Sequence, residues 1–202
     1  MTTTTIQPEL DSFETARRSM IDCQLRTSGV NDERVLARML SVAREEHVPA
    51  SARGTAYIDR AIALESGGKI AAPLFYGMLL DEAQPKKDDT VLVVDAGSGY
   101  LPALVEPMAA SVDVVSAEEA SAKSRKRKTY SLVLVDGAIE QVPDALGKRM
   151  ADGGRIVTGM ISNGVTRLAT GRQSTNGTAL LPLAEIGIPR LPEFDKPASW
   201  SC

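Results

Sequence analysis

The sequence predicts an α/β fold, a mostly parallel sheet layered between helices, and three observations point to it. Short strand-like runs recur at Thr90–Val94, which is β-branched and unbroken, at Tyr130–Val135 and at Arg155–Gly159, as in strands buried on both faces of a parallel sheet. Helix-compatible stretches separate them, near residues 101–110, 117–127 and 143–150, which implies right-handed crossovers. Before the first run, apolar residues recur with a helical period instead. The chain is therefore expected to divide into a helical lobe over residues 1–85 and a layered core over residues 86–202, packed as one unit.

The elements follow in order. After a polar tail, Asp11 and Glu14 have capping-box spacing, with Asp in place of Ser or Thr. Phe13, Ala16, Met20, Ile21 and Cys23 then form an apolar face ending near Gly29, so Cys23 is expected to be buried. A second helix is expected from Asn31 or Asp32, carrying Val35, Leu36, Met39 and Leu40, and closed by Pro49. A third runs from Pro73 to Glu82, with the proline early, where its missing N–H costs nothing. Leu74, Phe75, Met78, Leu79 and Leu80 read as core. The polar turn Gln84–Asp89 precedes the strand at Thr90. A second strand is expected at Val112–Val115. Asp136-Gly137 reads as a turn after the third strand, and Asp152-Gly153-Gly154 as a tight turn before the fourth. From about residue 164 the chain reads as short β-like pieces between Gly and Pro turns.

Composition narrows the function. Lys and Arg total 23 against 26 Asp and Glu, so no global field attracts nucleic acid or an anionic membrane. Arg125–Lys128 is the one dense basic run, and without interleaved aromatic residues it reads as a solvated crossover. One histidine, His47, and two distant cysteines, Cys23 and Cys202, argue against a zinc site and a disulfide framework. His47 reads as a helix-end cation suited to the dipole. No apolar run is long enough for a membrane span, and the N-terminus lacks the pattern of a secretory signal. A cytoplasmic setting is expected.

The loop after the first strand carries the chemistry. Gly97-Ser98-Gly99 stands between a buried strand and a helix, where glycine permits positive φ and close ligand approach and the helix start offers free N–H groups. Glu118 lies 19 residues after Gly99, just past the second strand, where an acid can accept hydrogen bonds from ribose hydroxyls. Each feature alone has an ordinary reading, as a βα turn and as a helix-start acid. Together they suggest a nucleoside-containing ligand. Asp136, at the carboxyl end of the third strand, is a further candidate for contact with substrate or cofactor.

Ala16–Arg26, Gly29-Val30 and Asp32–Leu36 resemble the N-terminal helices of protein-L-isoaspartate O-methyltransferases. Val48-Pro49, Ala56–Asp59 and Ile70–Pro73 are similar to that family too. Gly97–Tyr100 resembles its S-adenosylmethionine loop, and Leu134–Ala138, Val142-Pro143 and Gly153–Val157 resemble its later strands. The resemblance implies a class I methyltransferase (Rossmann-like) fold, with helices on both faces of the sheet, that moves a methyl group from S-adenosylmethionine to a protein or peptide carboxylate. By position it places the cofactor against Asp95, Gly97, Ser98, Gly99 and Glu118.

The sequence departs from the family in three places. Anchoring on Gly99-Tyr100 puts Val93 at the position of the strand acid and Asp95 at that of a glycine; a shifted register makes Asp95 the acid, and the sequence alone leaves both open. Ala71 stands at the family's hydroxyl position, where it can neither donate nor accept a side-chain hydrogen bond; Ser66 and Thr55 are near in sequence but out of register. Only 16 residues separate Val115 from Leu132. That suffices for one crossover but not for the family's helix, strand and second helix, so one edge strand is expected to be missing. Three readings stay open: an isoaspartyl-type methyltransferase, a non-catalytic relative that keeps the fold as a binding module, and a methyltransferase with a small-molecule acceptor.

Overall fold

The computed structural model describes residues 7–122, 128–175 and 177–196. Helix α1 (Gln7–Met20) starts a turn earlier than Asp11 and runs on through a π turn (Ile21–Leu25) and a 3₁₀ turn (Arg26–Ser28). The wider π turn shifts the phase of the apolar face. Met20, Ile21 and Leu25 face the core, while Cys23, expected inside, is exposed.

Helix α2 (Glu33–Ser41) begins at Asp32, whose carboxylate accepts the Arg34 N–H, an N-cap that satisfies an orphan donor. It ends well before Pro49, because Val42 is extended and the chain turns inward to bury Arg44 in a 3₁₀ turn, Arg44–His47. Two short strands, β1 (Ile62–Ala63) and β2 (Lys69–Ile70), pair as a hairpin. Helix α3 (Pro73–Ala83) has its proline in the first turn and buries Phe75, Leu79 and Leu80.

The sheet begins with β3 (Thr90–Asp95), followed by α4 (Tyr100–Val105), β4 (Ser111–Ser116) and the short α5 (Ala117–Ser121). Then come β5 (Tyr130–Ile139), the single turn α6 (Asp144–Gly147) and β6 (Met150–Ser162). The last two strands are β7 (Val165–Ser174) and β8 (Gly177–Glu185). Spatial order is β4-β3-β5-β6-β7-β8. The first four strands pair in parallel, and β7 and β8 add an antiparallel end. Among the described residues no strand lies outside β4.

Three expectations change here. Strand β5 continues through Asp136 to Ile139, so Asp136-Gly137 is not a turn. The Asp152–Gly154 segment sits inside β6 as an irregularity in its pairing with β5, as a bulge inserts extra residues without ending a strand. The region after 164 forms long paired strands rather than short pieces.

Alternation along the parallel strands feeds two cores. Val91, Val93, Leu132 and Leu134 pack with residues of α1 to α4. Leu92, Val94, Val133 and Val135 face the other way, toward α5, α6 and Phe194. Each such side chain removed from water contributes about 1.5–3 kcal/mol. Helices thus cover both faces, and the carboxyl rim of the sheet stays open for a site.

Candidate functional site

Strand register builds the site. Asp95 pairs across to Ser116 at the end of β4, and Val94 pairs with Val135, the residue before Asp136. Three chain segments therefore leave the rim side by side: the loop 96–99, the start of α5 with Glu118, and Asp136. A cleft of about 620 Å³ opens over the first two of these, within the range that holds small ligands. Its floor is Asp95, Ala96 and Gly97, with Ser116, Ala117 and Glu118 on one side. Ser66–Lys69 of the β1–β2 hairpin and the segment Pro189–Glu193 form the remaining walls. That last segment is tied to β5 by the Ala138 N–H donating to the Pro189 carbonyl (2.7 Å) and the Leu191 N–H to the Ala138 carbonyl (2.9 Å).

The loop is held by its own side chains. Gly97 and Gly99 have φ of 100° and 67°, a region costly for any residue with a Cβ. Their N–H groups donate to the Asp95 carboxylate at 2.9 and 3.1 Å. The Tyr100 N–H donates to Ser98 Oγ at 3.1 Å. Burial pushes the Asp95 carboxyl above its ordinary range; the two glycine amides and the charge of His47 pull the other way. Val93, the alternative acid position, is buried in the core, so Asp95 is the acid that reaches the loop. Glu118 is exposed in the cleft, and its carboxylate makes no ion pair or hydrogen bond among the described residues.

Asp136 lies behind the cleft rather than in its lining. It is buried, and Oδ1 accepts the Tyr76 hydroxyl at 2.7 Å, while Oδ2 has no partner among the described residues. Burial raises its pKa to about 7; the Tyr76 hydroxyl opposes that shift, the Asp95 charge adds to it, and the nearby Ala96 amide and Arg44 oppose it. Ala71 is also buried and stays out of the cleft. Its N–H donates to the Tyr76 hydroxyl (3.1 Å) and its carbonyl accepts from Arg44 Nη2 (2.6 Å). Arg44 also donates from Nε to the Ala56 carbonyl at 2.7 Å, and its guanidinium lies 5.2 Å from the Tyr100 ring centre and 5.6 Å from that of Tyr76. Such cation–π contacts recover part of the cost of burying the charge.

Sequence reasoning missed two residues here. His47, read as a helix-end cation, brings Nδ1 within 2.9 Å of the Ser98 carbonyl and packs edge-on to Tyr100. Nδ1 must therefore carry a proton, since a carbonyl oxygen only accepts. Ser66, out of register in sequence, lines the cleft beside Gly97. Of the basic run, residues 125–127 lie outside the described residues; Lys128 pairs with Asp113 at 2.8 Å. Cys202 also lies outside them. No helix among the described residues is long and apolar enough to cross a membrane.

Comparison with known proteins decides the family. The family model for protein-L-isoaspartate(D-aspartate) O-methyltransferase matches residues 16–129. The chain belongs to this family. A protein-L-isoaspartate O-methyltransferase of Koribacter versatilis is 33% identical, over 74% of this chain and 78% of the relative. One from Roseiflexus castenholzii is 31% identical, over 72% and 77%. In three dimensions the chain is similar to a solved Plasmodium falciparum protein, a putative protein-L-isoaspartate O-methyltransferase in complex with S-adenosyl-L-homocysteine. The TM-score is 0.72 at 15% identity, over 88% of this chain and 98% of that one. A second solved protein-L-isoaspartate O-methyltransferase gives a TM-score of 0.68 at 14% identity, over 87% and 65%. At those identities the structural likeness speaks for the class I methyltransferase fold. In this chain Asp95 stands at the root of the loop, and Ala71 is buried outside the cleft lining.

Proposed function

We propose that this protein is an S-adenosylmethionine-dependent methyltransferase that esterifies isoaspartyl carboxylates of proteins or peptides. The observation that carries the reading is the cleft itself, which brings the Asp95–Gly99 loop and Glu118 to one rim. The residues present fit such a cofactor. Glu118 offers an uncommitted carboxylate to ribose hydroxyls. Gly97, backed by Ser66, adds no side chain of its own to the floor, and Leu191 and Pro192 give an apolar wall that limits water near the reacting atoms. Residues 1–85 act in this reading as a lobe that roofs the core of residues 86–202.

When bound, the cofactor supplies an electrophilic methyl group on a sulfonium. The protein's part is placement. Asp95, Ala96 and Gly97 line the floor, with Ser98 and Gly99 completing the loop behind it; Glu118 would hold the sugar, and Asp95 would meet the cationic methionine end. Asp136 braces the rim from behind. Lys69, at the hairpin wall and without an ion pair among the described residues, offers a cation to the acceptor carboxylate. A carboxylate held in line with the methyl group needs no general base, so alignment carries the rate. The free, exposed thiol of Cys23 supports a reducing cytoplasmic setting.

The test is methyl transfer from labelled S-adenosylmethionine to a synthetic isoaspartyl peptide, with the matching aspartyl peptide as control. Base-labile methyl ester on the isoaspartyl peptide alone is the expected result. Its absence, with folded protein and excess cofactor, refutes the proposed acceptor.

A further inference from the structure

We propose that the Asp95 carboxylate makes this cleft prefer a cationic sulfonium nucleoside to the neutral thioether left after methyl transfer. The inference rests on the cofactor reading above and goes further, to the charge that selects among ligands of one shape.

A glycine-rich loop at the start of a helix ordinarily turns its N–H groups toward an anion. Here that capacity is already spent. The Gly97 and Gly99 N–H groups are held by Asp95, and the Tyr100 N–H by Ser98 Oγ. A phosphate brought to this loop finds no free amide among these three and meets a carboxylate instead. The nucleotide-like geometry is thus combined with the opposite charge preference.

The surrounding charges agree. Asp95, Glu118 and Glu193 line the cleft against Lys69 and Arg190. Arg190 is committed elsewhere, to Glu140 at 2.9 Å and Asp195 at 2.8 Å. Asp136, on the neighbouring strand behind the loop, is buried and holds its proton up to about pH 7, so it adds no full charge below that. His47 acts from the lobe side, where its Nδ1 is engaged by the Ser98 carbonyl. Asp95 is half-buried, so its charge is less screened than one in open solvent.

The two ligands differ by one methyl group and one positive charge, at the sulfur. Their sugar, base and amino-acid ends are common, so the ratio of their dissociation constants isolates the field at that atom. Glu118, assigned to the sugar, acts on both alike.

The experiment is isothermal titration calorimetry on the full chain with S-adenosylmethionine, S-adenosylhomocysteine and, as an anionic probe, ADP. The wild type is expected to bind the sulfonium about tenfold more tightly than the thioether and to show no heat with ADP. Asp95→Asn keeps an acceptor oxygen for the loop amides and removes the charge; it should bring the ratio close to one. Glu118→Gln should weaken both nucleosides and leave the ratio unchanged. Equal binding of both nucleosides by the wild type overturns the inference while leaving the cofactor reading intact, and this arm decides even if Asp95→Asn does not fold. Retention of the preference in Asp95→Asn, or its equal loss in Glu118→Gln, also overturns it. No heat with either nucleoside removes the cofactor reading, and this inference with it.

Discussion

Asp136→Asn should change the way stability depends on pH. The native carboxyl has a pKa of about 7, raised first by burial and then by the Asp95 charge, against the Tyr76 hydroxyl, the Ala96 amide and Arg44. In the unfolded chain it returns to roughly 3.9. Between those values the folded state holds the extra proton, so ∂ΔG/∂pH of unfolding is negative there: stability is full below about pH 4, falls as pH rises, and levels off above about pH 7. Integrated from pH 5 to pH 8, this one group removes roughly 2–3 kcal/mol from the wild type. Asparagine has the same shape and no such titration. Its NH₂ group inherits the place of the unpartnered Oδ2, a cost of roughly 1–3 kcal/mol that does not vary with pH. Urea denaturation of both proteins at pH 5, 6, 7 and 8 separates the two effects. The variant should gain roughly 2–3 kcal/mol on the wild type across that range, whatever the constant offset. Parallel curves, within about 0.5 kcal/mol, would refute the assignment of a buried proton to Asp136.

Three further outcomes are expected. Gly68→Ala places a methyl group well inside contact distance of the Ala96 carbonyl; pushing the hairpin off the loop should weaken S-adenosylhomocysteine binding about tenfold in calorimetry, with a stability loss of roughly 1–3 kcal/mol. Arg44→Lys keeps the charge but cannot span both carbonyls, so denaturation should show a loss of about 2–4 kcal/mol. Asp89 is buried and desolvation pushes its pKa up, but bonds from Arg155 (2.5 Å), Ser131 (2.7 Å) and the Lys86 N–H (2.8 Å) outweigh this and hold it below its ordinary value. Its stabilisation is present above the unfolded pKa and fades as pH falls, so the gap between wild type and Asp89→Asn, about 2–4 kcal/mol at pH 7, should close below about pH 4 in acid denaturation.

The parts of the fold legible in the sequence were those encoded by local pattern. Thr90–Val94 is dense in β-branched residues and Tyr130–Val135 in apolar ones because both their faces are buried, and Gly97 and Gly99 mark positive φ directly. Glu118 followed from its distance to the loop, since strand pairing of Asp95 with Ser116 is what that distance encodes. What escaped was set by long-range contact. His47 meets the loop across 51 residues, and nothing around it distinguishes a loop clamp from a helix-end cation. Cys23 was misplaced because a π turn leaves no trace in a 3.6-residue period. Asp136-Gly137 looks like a turn by composition; pairing with β6 and the strap at Pro189–Leu191 keeps it extended.

Arg44 carries a consequence for how natural variation in this protein should be interpreted. A guanidinium sealed under two tyrosine rings and forked between Ala56 and Ala71 is poorly replaced by any other side chain, yet it lies buried outside the cleft lining. Carriers of a lesion at this codon would make less surviving protein, each copy turning over at its normal speed. A survey scored only on total cellular activity would mistake a problem of abundance for one of chemistry.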